Sequence, residues 1–76
     1  MDFKIWGRIE RRPDGSFRAI ASAMPNRPGE DPKRGDIRAT IEPTLTAGRI
    51  ALGRLVHALC TVVMKRGDNV VWLDVR

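Results

Sequence analysis

Apolar and polar residues alternate from Phe3 to Glu10, "FKIWGRIE", placing Phe3, Ile5 and Ile9 on one side of the chain and Lys4, Trp6, Arg8 and Glu10 on the other. A period of two is the signature of a half-buried strand. In the "RPDGS" that follows, Pro13 presets φ, Asp14 bonds the local backbone and Gly15 accepts positive φ, so a hairpin turn is predicted. The return strand, from Ser16 to about Met24, sets Phe17, Ala19, Ala21 and Ala23 against Arg18, Ile20 and Ser22. Its row of alanines leaves room for a helix. From Pro25 to Gly35, "PNRPGEDPKRG" holds three of the five prolines, which neither a helix nor a central strand tolerates. This stretch reads as an exposed loop.

"DIRATIE" alternates again, with Ile37, Ala39 and Ile41 against Arg38, Thr40 and Glu42, and predicts a third strand ended by Pro43. Thr44 or Thr46 then caps a long helix running to about Arg66, with Gly67 just past its end. On the helical wheel Ala51, Leu52, Leu55, Val56, Leu59, Cys60, Val62 and Val63 fill one arc, while Gly53, Arg54, His57, Thr61 and Lys65 gather opposite. "NVVWLDVR" closes the pattern as a fourth strand, with Val71, Leu73 and Val75 toward the helix and Val70, Trp72 and Asp74 away from it. The expected architecture is one α+β domain over residues 1–76, because a chain this short cannot bury two cores. It has two layers: a four-stranded, mostly antiparallel sheet with one long helix on one face, in the order β-β-β-α-β.

Charge adds a partner class to this picture. Fourteen Lys and Arg against nine Asp and Glu give +5, which favours nucleic acid or an acidic protein surface. Natural domains of this size often gain support from disulfides, a metal or a second subunit. The single Cys60 excludes an internal disulfide, and one Cys with one His cannot assemble a structural zinc site. No metal or cofactor is expected, and a homodimer is. A lone thiol fits a reducing compartment. The opening "MDFKIWGRIE" carries charge by its second residue, unlike a secretory leader, and the longest apolar run, "VHALCTVVM", falls well short of the roughly 20 residues a bilayer requires. A cytoplasmic protein with no membrane partner is expected.

"KRGD" occurs twice, at residues 33–36 and 65–68. Each copy stands where the chain changes direction, so both read as punctuation and not as an adhesion signal. His57 and Cys60 are three apart on the helix, but no third residue orients them as a nucleophile and base. The carboxylates are scattered over turns, loop and strands, and the glycines form no phosphate-binding loop. The chain is expected not to be an enzyme.

The informative surface is the sheet face opposite the helix. The strand phases gather Trp6, Ile20, Val70 and Trp72 there with Lys4, Arg8, Arg18 and Arg38. An apolar and aromatic patch rimmed by Arg has the look of an interaction surface. Either it docks a protein, or bases of single-stranded nucleic acid stack on its tryptophans while arginines neutralise phosphate. A third alternative is that the loop covers it and the two indoles form a small second core. The candidate partner-binding residues are Trp6, Arg8, Arg18, Ile20, Arg38 and Trp72. In the proline-rich loop Arg27, Lys33 and Arg34 are candidate contacts to phosphate or an acidic surface.

A hairpin closed by "RPDGSF", a third strand, the Thr-initiated helix "TLTAGRIALGRLVHAL" and a closing "RGDNVVWLDV" together resemble the HicB-like antitoxins, which have a partial ribonuclease-H-like fold. The likeness is one of layout and spans nearly the whole chain. It implies a non-enzymatic module that binds and neutralises a protein, typically as a dimer. In size and charge the chain also looks similar to phage-encoded anti-CRISPR proteins, which implies as an alternative an inhibitor covering the DNA-binding surface of a Cas complex.

Overall fold

The computed structural model describes residues 1–26 and 35–76. The order is β1 (Asp2–Arg11), β2 (Phe17–Pro25), β3 (Asp36–Glu42), α1 (Leu45–Lys65) and β4 (Asn69–Val75). The expected β-β-β-α-β succession is therefore the one observed. In the sheet the strands lie in the order β3-β2-β1-β4, antiparallel except for β4, which runs parallel to β1. Strands β3 and β4 thus occupy opposite edges and point the same way. Such a connection needs a crossover of a dozen or more residues, and α1 supplies it across one face.

Local chemistry accounts for each boundary. In the β1–β2 turn the Ser16 amide donates to Asp14 Oδ1 at 2.9 Å, and Gly15 takes φ +86°. The Ser16 hydroxyl also donates to this carboxylate, and these two bonds hold Asp14 below the usual aspartate range. Of the two candidate caps it is Thr44 that starts α1, its hydroxyl accepting from the Ala47 amide at 3.1 Å. At the other end Gly67 takes φ +82° and turns the chain into β4. The second KRGD is thus a helix terminus; of the first, Lys33 and Arg34 fall outside the described residues.

Phe3 and Ile5 of β1, Ala19, Ala21 and Ala23 of β2, and Leu52, Val56, Leu59 and Val63 of α1 make the core. Small side chains on β2 let the helix come close, and α1 lies chiefly over this strand. It reaches β4 least. The approach is tightest at Gly7, where a Cβ would stand 2.8 Å from Leu52 Cδ1 and 2.9 Å from Val56 Cγ2. By length and composition α1, with a mean hydropathy of 1.4 over its most apolar eighteen residues, would also pass for a membrane span. Its interruptions at His57 and Thr61 do not lower that average enough. In this fold Gly48, Leu52, Val56, Leu59 and Val63 are buried, four of them in the core with the sheet, as in the core helix of a globular domain.

The expected phases of β1 and β2 hold; those of β3 and β4 need correction. Arg38 stands opposite Ala21, Thr40 opposite Ala19 and Asp36 opposite Ala23. Cross-strand partners share a face, so Asp36, Arg38 and Thr40 lie on the helix side, and Ile37, Ala39 and Ile41 on the bare side. Alternation alone shows which residues share a side, not which side that is. In β4 the ladder shifts between Phe3 and Lys4, so that Val70 pairs with Phe3 and Trp72 with Lys4. This irregularity turns Val70 against the core, while Trp72 and Asp74 keep the outward placement expected.

Burial on β3 leaves one unpaired polar atom among the described residues: the Thr40 hydroxyl is sealed without a hydrogen-bond partner. An unsatisfied buried group costs about 1–3 kcal/mol. Thr40→Val keeps the shape and deletes the hydroxyl, so it should raise stability by about 1 kcal/mol, read as a higher urea midpoint with an unchanged slope.

Candidate functional site

Both indoles lie on the sheet face that α1 leaves bare. Trp6 pairs with Ser22 on one side and Asp74 on the other, and Trp72 with Lys4. Together they wall two adjoining grooves. Lys4, Trp6, Asn26, Val71 and Trp72 line the larger, about 550 Å³; the smaller, about 290 Å³, lies between Trp6, Gly7, Arg8, Trp72, Asp74 and Arg76. Asn26 is held at the rim by its amide, which donates to the Asp2 carbonyl at 2.9 Å. Trp6 is half-buried and forms the partition, whereas Trp72 is 48% exposed.

The charged residues of this face are largely matched among themselves. Glu10 accepts from Arg18 Nη2 at 2.7 Å and pairs with Arg8 Nη2 at 3.0 Å. The hydrogen bond from Arg18, helped by the nearby charges, holds the Glu10 carboxyl below the usual glutamate range despite partial desolvation. Its pairing with the two arginines therefore persists at neutral pH and weakens only as acid protonates it. Arg8 also lies over the Trp6 ring, 4.9 Å from its centroid. Asp74 pairs with Arg76 at 3.1 Å. A glutamate shared by two arginines fixes their guanidinium groups in place and removes much of their net positive field.

No family model, curated protein or solved structure matches this chain.

Of the six candidate contact residues, the fold brings together Trp6, Arg8, Arg18, Ile20 and Trp72 on one face. Arg38 is not with them. It sits on the helix side at the β3 edge, bonded through Nε to Asp36 Oδ2 at 3.2 Å. Val70 likewise leaves the face for the core. Arg27, Lys33 and Arg34 lie outside the described residues. In exchange the patch gains Ile37 and Ile41, which are 63% and 55% exposed, together with Ala39. The signal for them was the alanine row of β2: once it is committed to the helix, antiparallel pairing with β3 decides the rest. The resulting surface is more apolar and less basic than strand alternation alone suggested.

His57 is exposed on α1 and Cys60 is drawn against the core, so these two point to different environments. Among the described residues no three His, Cys, Asp or Glu stand close enough to hold a metal ion. What the bare face offers chemically is aromatic walls, aliphatic floor and fixed charge pairs, an arrangement suited to holding apolar side chains of another molecule.

Proposed function

We propose that this chain is a non-enzymatic protein-binding module that binds and neutralises a partner protein through the bare face of its sheet, in the manner of a HicB-like antitoxin or inhibitor. The observation that carries the reading is the composition of that face: Trp6, Trp72, Ile20, Ile37 and Ile41 all lie on it, while Arg8 and Arg18 are tied to Glu10. Surfaces with buried aromatic anchors and oriented arginines concentrate binding energy in a few residues. A nucleic-acid platform instead needs cations free to meet phosphate. An anti-CRISPR-type inhibitor of a Cas complex is the same chemistry with a different partner, and the exposed aliphatic residues serve it equally. The module works as a homodimer in the cytoplasm, where Cys60 stays a thiol.

The test is capture of a stoichiometric partner from the source cells by the tagged chain, with affinity then measured for wild type and Trp6→Ala. The substitution should weaken binding by about 30-fold or more, the loss of a hot-spot side chain worth about 2 kcal/mol, and leave unfolding cooperative. If instead single-stranded oligonucleotides quench tryptophan fluorescence with an affinity that drops steeply as salt rises, the nucleic-acid reading replaces this one.

A further inference from the structure

Helix α1 carries no carboxylate. Its charged residues are Arg49, Arg54 and Lys65, which hold three of the chain's five net positive charges. All three are exposed, as is His57. A surface helix ordinarily mixes signs, with glutamate and lysine paired one turn apart. Here the carboxylates are engaged elsewhere. Among the described residues Glu10, Asp14, Asp36, Asp68 and Asp74 each pair with an arginine outside α1, and none of these pairs includes a cation of the helix. Residues at multiples of four stand in line on a helix surface. Arg49, Gly53, His57 and Lys65 fall on one such line, about 24 Å long at 1.5 Å per residue, with Arg54 beside it.

Gly53 is the member of this line that the rest of the chain does not explain. It is exposed in mid-helix, its φ is not positive, and a Cβ built on it would meet nothing within 4 Å. A Cβ at Gly48, by contrast, would touch Phe17 and Ile9. Glycine weakens a helix interior, and neither conformation nor packing against the described residues calls for it at position 53. Close approach of another molecule to the helix backbone does.

We infer that the outer face of α1 lies along the phosphate backbone of a nucleic-acid duplex. Arg49, Arg54 and Lys65 neutralise phosphates, and Gly53 lets a strand come close between Arg49 and His57. Charge decides the class of partner. A face of one sign along about 24 Å complements a polymer of evenly spaced negative charge, whereas protein surfaces intersperse both signs. Leu45–Lys65 contains no aromatic residue on which unpaired bases could stack, so a duplex fits this face and a single strand does not. The apolar arc of α1 is buried on the sheet, which removes the face that a bilayer-bound helix inserts. Contacts to phosphate alone position a duplex without reading its sequence. Trp6 and Trp72 lie on the opposite side of the domain, so this inference is independent of the proposed function, and both surfaces can be occupied at once.

Fluorescence anisotropy of labelled duplex DNA and duplex RNA of mixed sequence, titrated with the full chain, tests it. Three phosphate contacts give a salt slope of about 2.7 in log affinity against log concentration, so binding should weaken about 40-fold between about 50 and 200 mM salt. Arg54→Gln should weaken binding and lower that slope by about 1. Arg76→Gln makes the same change in net charge on the opposite side, beside Trp6 and Trp72, and should alter neither. Gly53→Leu should raise the urea midpoint and yet weaken duplex binding by about tenfold, a combination that a purely structural glycine would not give. Trp6→Ala should leave duplex affinity unchanged, and the indole fluorescence should stay unquenched. Tighter binding of one duplex identifies the source as DNA or RNA. Failure to bind either duplex, equal losses from Arg54→Gln and Arg76→Gln, unchanged affinity in Gly53→Leu, or binding to anionic lipid vesicles in place of duplexes would overturn the inference and leave partner capture through Trp6 standing.

Discussion

Phe3→Ala should remove about 3–5 kcal/mol of stability. The ring is 1% exposed, sits in the core with Leu59 and Val63, and has the Arg66 guanidinium over it, 5.3 Å from the ring centroid. Truncation leaves a cavity between sheet and helix that the alanines of β2 are too short to fill. A domain of this length has about 4–11 kcal/mol in total, from about 0.05–0.15 kcal/mol per residue. The variant should therefore unfold at a temperature lower by about 15 °C or more, read by circular dichroism. Ile37→Ala, at a site 63% exposed, should change stability by no more than about 1 kcal/mol. Equal losses from the two substitutions would mean that β1 does not carry the core.

Gly7→Val acts in the opposite sense, by excess volume. The added Cβ alone would stand under 3.0 Å from both Leu52 Cδ1 and Val56 Cγ2. Leucine can swing its terminal methyl aside, but valine is stiff at χ1. Two further carbons then push α1 off the sheet, for a loss of about 3 kcal/mol, the upper part of the range for overpacked cores. The entropy gained by replacing a strand glycine, about 0.5–1 kcal/mol, offsets only part of this. Combining it with Leu52→Ala should recover about 1 kcal/mol or more relative to the sum of the single effects, measured by urea denaturation. Strict additivity would show that the helix does not press on Gly7.

Those two positions also mark the limits of what the sequence made legible. Phe3 and Ile5 announce themselves by alternation, the turn by Asp14 and Gly15, and the helix start, to within two residues, by Thr44 or Thr46, because each is decided by chemistry within a few residues. Gly7 looked like one glycine among seven, although a glycine inside a strand is itself a sign of close backbone approach. Alternation misplaces Arg38 for a different reason. "DIRATIE" has two isoleucines on one side, and burial would ordinarily claim them; the pairing of β3 with an alanine row already facing α1 assigns that side to solvent instead. Alternation misplaces Val70 because an irregular step in a ladder cannot be read from one strand alone. The two tryptophans, by contrast, lie on the side that alternation gives them, since β1 has no irregularity at Trp6 and the shift in β4 precedes Trp72.

Strand β1 lies inside the sheet, yet one of its neighbours, β4, follows the other three strands in sequence. A polypeptide emerging from the ribosome can zip β1 to β2 and β2 to β3 as it appears, for these are local hairpins. The seam between β1 and β4 must wait for β2, β3 and α1 to be made, and closing so large a loop is slow. Until then the first strand offers a bare flank to any other nascent chain. Rapid translation or crowded polysomes would thus endanger this domain chiefly through β1.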